Sequence, residues 1–226
     1  MPTTDTTRQT IPTPREARRA IYLDFEGTEV DPPSLLGAAC DSDWHAVVIE
    51  RALHPLAGHG ADRLAVSTGG LSVSLRELRH RAERENRRLF AWSSHELDVI
   101  SSVVTTDADR QWWAEHLENA LPPARRWAHS HQVVLPRVQL PKGHRRTRNH
   151  LGRYLAAIGY AVPSGAGPGY TASRIRTLRG QLARRKSYKA LTPVAKAKWT
   201  KLCAHNRHDC LGLASLVQRL ADDAAR

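Results

Sequence analysis

Two acids stand two positions apart in the run AIYLDFEGTE at residues 20–29, Asp24 and Glu26. In an extended chain alternate side chains share a face, so Ile21, Leu23 and Phe25 point one way while Tyr22, Asp24 and Glu26 point the other. With a rise of about 3.3 Å per residue, the two Cα atoms lie roughly 7 Å apart and both carboxylates reach one small space. Like charges that close raise each other's pKa unless something positive sits between them. A divalent cation would serve both. The plainer alternative is the solvated outer face of an antiparallel sheet, where an acid at every second position is ordinary.

A third acid lies far along the chain. Thr192 and Pro193 form an N-cap and first-turn pair that opens a long helix through PVAKAKWTKLCAHNRHDCLGLASLVQRL. Its apolar stripe, Leu202, Leu213, Leu216, Val217 and Leu220, continues by threes and fours through 205 or 206 and 209, which puts His205 and Asp209 in the inward register. A buried ionised carboxylate costs several kcal/mol unless it is paired or bound to metal. His205, one turn earlier, is one such partner, and a His–Asp pair that merely fixes the helix is the alternative to a metal site. If this helix crosses the sheet beside the first strand, Asp209 joins Asp24 and Glu26 in one acidic pocket. Glu96 is the fourth candidate, placed where FAWSS turns into HELDVI at the end of a strand. Ser93-x-x-Glu96 also reads as a capping box, in which the glutamate bonds its own helix start. Asp98 is the fallback. Cys203, His205, His208 and Cys210 scatter around the helix cylinder instead of gathering on one face, which disfavours structural zinc.

The elements that must position these residues are legible in outline. Residues 1–18 are rich in Thr and Pro with little apolar content and read as a disordered tail, leaving a single domain over 19–222. AIYLDFEGT, SLLGAAC and WHAVVIERA are strand-like runs separated by Pro/Asp punctuation, a three-stranded meander. SLRELRHRAERENRR is an exposed helix that leads into the strand RLFAWSS, and so back to the sheet. HELDVISSVV resumes helical spacing, and Thr106 with Asp109 caps a helix DADRQWWAEHLENAL that Pro122–Pro123 ends. A short helix ARRWAHSH precedes VVLPRVQLP, whose prolines limit any strand there to an edge. NHLGRYLAAIGY is an amphipathic helix and VPSGAGPGY a loop.

The charge balance narrows the partners. Lys plus Arg number 34 against 22 Asp plus Glu, a formal net charge of +12 over 226 residues. Such an excess favours a polyanion through steering and counterion release, with nucleic acid the leading candidate. The segment RIRTLRGQLARRKSYK is the densest stretch: Arg174, Arg176, Arg179, Arg184, Arg185, Lys186 and Lys189, joined by Arg145, Arg146 and Arg148, are the expected phosphate contacts. No stretch approaches the roughly 18 apolar residues of a membrane span. The first residues also lack the apolar core of a secretory signal, and three cysteines give no pairing pattern, so a cytoplasmic, reducing location is expected.

With these residues in hand, the sequence resembles the DEDD group of 3′–5′ exonucleases in the ribonuclease-H-like superfamily, and within it the nuclease domains found alone or attached to RecB-type nucleases. The matching pieces are YLDFEGT, AWSSHELDVI and HNRHDCLGLASL, with NHLGRYLAAIGY resembling the segment before the last motif. The resemblance implies an α/β fold, a mixed sheet with an antiparallel meander and parallel strands flanked by helices. It implies that Asp24, Glu26, Glu96 and Asp209 are metal ligands and that His205 is the general base. Glu96 stands where these exonucleases usually carry Asp, and His205 precedes Asp209 by four positions, the spacing of the tyrosine-type branch. The implied activity is phosphodiester hydrolysis at single-stranded DNA or RNA ends, with two Mg²⁺ or Mn²⁺ ions about 3.5–4 Å apart. A catalytically inactive nucleic-acid-binding module and a structure-specific endonuclease are the rival readings.

Overall fold

The period-two pattern of the first run becomes a central strand with both faces covered. In the computed structural model, which describes residues 11–28, 32–60, 63–137, 149–163 and 169–226, Ile21–Glu26 forms β1. Its neighbours are β2 (Leu35–Cys40), antiparallel, and β5 (Leu89–Ala91), parallel. β3 (Asp43–Val48) continues the antiparallel meander, and β4 (Val66–Thr68) and β6 (Leu117–Asn119) add parallel edges. Among the described residues the sheet has six strands in the order β4-β3-β2-β1-β5-β6. This mixed sheet flanked by helices is a ribonuclease-H-like arrangement.

Helices cover each face. Ile21 and Leu23 face one core with residues of α2 (Leu71–Glu85), α3 (His95–Val103) and α4 (Asp107–His116). Tyr22 faces the other core, against α1 (Pro14–Arg19), α5 (Leu121–Ser130), α6 (Leu151–Ala157), α7 (Thr171–Arg185) and α8 (Pro193–Ala224). α8 starts as its sequence dictates, with the Thr192 hydroxyl accepting the Ala195 N–H and Pro193 in the first turn. It lies close against α6 at Gly212, where a Cβ would stand 2.5 Å from a Leu155 methyl. The β2–β3 hairpin turns on Asp41 and Ser42, both at positive φ, as a two-residue primed turn requires. The Asp41 carboxylate accepts two bonds from Arg87, at 2.8 and 2.7 Å.

The structure departs from the sequence expectation at three places. Residues 11–18 are not a tail: Thr13 and Glu16 cap α1 reciprocally, Ala17 is buried, and the Tyr22 hydroxyl donates to the Ala17 carbonyl at 2.6 Å. Low apolar content hid a helix that needs only one small residue to dock. Residues 1–10 lie outside the described residues. Second, Pro122–Pro123 does not end the α4 helix but opens α5. The chain leaves α4 at His116 and pairs as β6 before the prolines take the first helical positions, where their missing N–H costs nothing. Third, residues 133–137 carry no strand, and the rest of that expected edge lies outside the described residues. No described helix is long and apolar enough to cross a membrane.

Candidate metal centre

Asp24 and Glu26 occupy the C-terminal half of β1 on the α8 side, opposite Gly37 and Leu35 of β2. The parallel pairing with β5 ends at Leu23, so the acids lie just past the point where β1 has an antiparallel neighbour on one side and a parallel one on the other, a switch in topology of the kind at which open α/β sheets bind ligands. α8 brings His205, Asn206 and Asp209 to the same place. His205 Nε2 stands 3.8 Å from Glu26 Oε1 and 3.7 Å from Asp209 Oδ2. Glu26, His205 and Asp209 thus place one potential ligand atom each within 4.8 Å of one another.

Asn206 seats the helix. Wholly buried, it accepts a hydrogen bond from Trp44 Nε1 at 3.0 Å and donates from Nδ2 to the Asp24 carboxylate at 2.8 Å and the Asp24 carbonyl at 3.2 Å. Gly37 makes room for it: a Cβ there would lie 1.8 Å from Asn206 Oδ1. Position 206 was open in the helical register, and a glycine inside a strand is the usual sign of a close approach. Its amide carries no charge to mark it as part of an acidic site.

Glu96 lines a cavity of about 400 Å³ with Asp24, Asp209, Trp92, Ser93, Asn149 and His150. Its Oε2 also accepts from the Ser93 N–H at 3.1 Å and the Ser93 hydroxyl at 2.9 Å, so it helps to shape its own helix start. The two roles share one side chain. Asp98 is exposed on α3, away from the lining of this cavity. Nothing in the sequence pattern marks His150, which lines the same cavity. It caps α6 by accepting the Gly152 N–H on Nδ1 at 3.1 Å, which in the neutral ring leaves the proton on Nε2.

The electrostatics are those of crowded acids. Burial pushes Asp24 well above the ordinary carboxylate range, and the charges of Glu26, Asp209 and Glu96 push it further, against the Asn206 hydrogen bond. Burial also raises Glu26, with Asp209 adding to the effect and His205 opposing it. Glu96 is raised by burial despite its bonds to Ser93. The His150 imidazole is lowered by burial, which Asp209 opposes.

These donors suit a hard divalent cation. They are mainly carboxylate oxygens, the chemistry that magnesium and manganese prefer, and Glu26 Oε1 is buried with no hydrogen-bond partner among the described residues. Cys203 and Cys210 are buried members of the core, Cys210 within the field of Asp24, Asp209 and Glu26, and His208 Nδ1 lies 3.0 Å from the Tyr160 hydroxyl.

The basic segment divides in two. Arg176, Arg184, Arg185, Lys186 and Lys189 are exposed on and just after α7. Arg174 is buried, its guanidinium over the Tyr170 ring and within the field of Glu26. Arg179 is engaged by the Glu50 carboxylate, with Nε to Oε1 and Nη2 to Oε2. Arg145, Arg146 and Arg148 lie outside the described residues.

No family model matches the chain, and the searches of curated proteins and of solved structures return no match.

Proposed function

We propose that the chain is a divalent-metal-dependent nuclease of DEDD type, hydrolysing phosphodiester bonds from the 3′ end of single-stranded DNA or RNA. The observation that carries this reading is the convergence of Asp24, Glu26, Glu96 and Asp209, from three elements, on the end of the central strand. The charges of Glu26, Asp209 and Glu96 all oppose ionisation of buried Asp24, and in a protein of net charge +12 cations bound among these acids would account for keeping them together. Asp24, Glu26, Glu96 and Asp209 would hold two Mg²⁺ or Mn²⁺ ions. Bound there, such ions supply Lewis-acid stabilisation of phosphoryl oxygens and lower the pKa of a bound water.

The chain's own groups then have distinct tasks. Asn206 fixes the Asp24 carboxylate, so that this acid keeps one direction when the pocket loses water. His205, which faces both Glu26 and Asp209, would accept a proton from attacking water. His150 presents an N–H at the pocket wall, suited to a phosphate oxygen. None of these contacts reads a base, so the expected substrate range is broad.

The test is cleavage of end-labelled single-stranded DNA and RNA with Mg²⁺, with Mn²⁺ and with EDTA, repeated on Asp24→Asn and Asp209→Asn. Metal-dependent shortening from the 3′ end, abolished by either substitution, is expected; activity indifferent to both removes the proposed site. A circular single strand should survive, and its cleavage would identify an endonuclease. The approach of His205 to both Glu26 and Asp209 favours one other reading, a silent binding module in which the imidazolium replaces the metal. Binding without cleavage under every metal condition would select it.

A further inference from the structure

The acidic pocket continues beyond its acids. Its wall runs through Trp92 and Asn149, and Asn149 also lines a wider cleft of about 710 Å³ with Arg125, Val133, Arg153 and Tyr154. The shared residue makes the two concavities neighbours, one at Asp24 and Asp209 and the other in the region between α5 and α6. Asn149 is tied to both. Its carbonyl accepts the Trp92 Nε1–H at 2.9 Å, and its side-chain oxygen accepts the Arg125 Nε–H at 3.1 Å. Arg153 donates to the carbonyls of Pro136 and Leu135, at 2.9 and 2.8 Å. The neutral Asn149 oxygen fixes the direction of the Arg125 guanidinium without cancelling its charge. Arg179 of the basic segment contrasts with this, because it faces a carboxylate.

Resting on the nuclease reading, we infer that one nucleic-acid strand lies in this α5–α6 cleft, with Arg125 and Arg153 on its phosphates, and enters the acidic pocket past Trp92. The charge order requires something of this kind. Acids at the reacting end repel phosphates, so cations must hold the strand a few nucleotides away. The cleft has the volume of an ordinary ligand site, typically about 300–1,000 Å³. Trp92 is a rigid wall, with its ring edge bonded to Asn149 and set against Tyr154 at 5.1 Å between centroids. An aromatic fixed in this way stacks any base without selecting among them.

The experiment is fluorescence anisotropy of labelled 12-nucleotide oligo(dT) and oligo(U) on the full chain in EDTA, across 50–200 mM salt. Arg125→Gln and Arg153→Gln should each weaken binding and flatten the slope of log K against log salt by about 0.7, the value for one phosphate on a single strand. Arg125→Lys should retain the slope, which a purely structural role for the guanidinium does not predict. A slope unchanged in Arg125→Gln, or one that falls in Arg184→Gln instead, overturns the path and moves the strand to α7. Wild-type protein that binds neither oligonucleotide also overturns it. Cleavage by the same preparations separates the two ideas. Metal-dependent activity lost in Asp209→Asn, with the slope unmoved in Arg125→Gln, refutes the cleft alone. A flattened slope without any cleavage establishes the cleft and refutes the nuclease.

Discussion

Gly37→Ala is the sharpest probe of how the acidic centre is held. The added methyl would stand 1.8 Å from Asn206 Oδ1, 2.6 Å from its Cγ and 2.9 Å from its Nδ2, where real contacts are almost never below 3.0 Å. Asn206 cannot turn aside freely, because Trp44 and Asp24 hold its two ends. Expelling it leaves the Trp44 N–H without this acceptor, at about 1–3 kcal/mol, and removes a bond to a carboxylate, worth about 1.5–3 kcal/mol. Retaining it by shifting α8 costs a comparable 1–3 kcal/mol of overpacking, roughly. A loss of about 3–5 kcal/mol follows, since the outcomes partly exclude each other. At about 2–4 °C per kcal/mol for a chain of this size, Tm should fall by roughly 6–20 °C. Scanning calorimetry on wild type, Gly37→Ala, Asn206→Ala and the double variant measures it. The double variant should be no less stable than Gly37→Ala, giving a coupling energy of at least about 1 kcal/mol. A Tm change under about 2 °C for Gly37→Ala, or additivity within about 0.5 kcal/mol, would mean that α8 does not meet β2 through this pair.

Asp24→Asn should stabilise the metal-free protein near neutral pH, because the folded pKa of Asp24 is raised. The sign follows from linkage: an acid with a raised folded pKa lowers stability as pH climbs from about 4 through that pKa, so the advantage of Asn should vanish toward pH 4. Tm differences between variant and wild type over pH 4–8 in EDTA read this directly, and a variant less stable at every pH contradicts it. Acids with lowered pKa, such as Asp41 and Asp223, destabilise both proteins on acidification and cancel in the difference. Mn²⁺ at about 100 times its Kd should stabilise by about 2.7 kcal/mol, roughly 5–11 °C in Tm, and Asp209→Asn should lose most of that shift. Glu96→Gln keeps an oxygen for Ser93, so metal-free stability should hold within about 1 kcal/mol while the Mn²⁺ shift shrinks. An undiminished Mn²⁺ shift in Glu96→Gln would leave that residue only its capping role.

What could be read from the sequence was whatever has an apolar period; the Thr13–Glu16 cap of α1, with no apolar stripe behind it, was not enough. Asp24 and Glu26 fall on one face because strands alternate, and Asp209 falls inward because the α8 stripe steps by threes and fours. β4 and β6 are three residues long, too short for alternation to register, and so the sequence pattern runs α4 on to the prolines. Pro122–Pro123 is ambiguous for a physical reason, since proline both ends a helix and suits the start of the next. The basic segment shows the limit of composition. Charge density marks α7, but the acid that engages Arg179 is Glu50, 129 residues earlier, and only the fold brings them together. Asn206, His150 and Asn149 escaped because their parts depend on tertiary neighbours: Gly37 makes room for the first, and the start of α6 supplies the other two.

The same geometry explains why acids stay crowded in a protein free to disperse them. The pocket draws on β1, α3 and α8, and its charges oppose the packing that brings these elements together. Countering that repulsion are a 32-residue helix packed on β1, β2 and β3 and the Trp44–Asn206–Asp24 chain at the contact itself. Burial of α8's apolar stripe contributes free energy over many residues, whereas the repulsion acts at one end of one strand. The fold therefore tolerates a local excess of negative charge that a small or loosely packed helix would release by moving away. On the nuclease reading, a cation bound in such a centre would relieve repulsion already present in the folded chain.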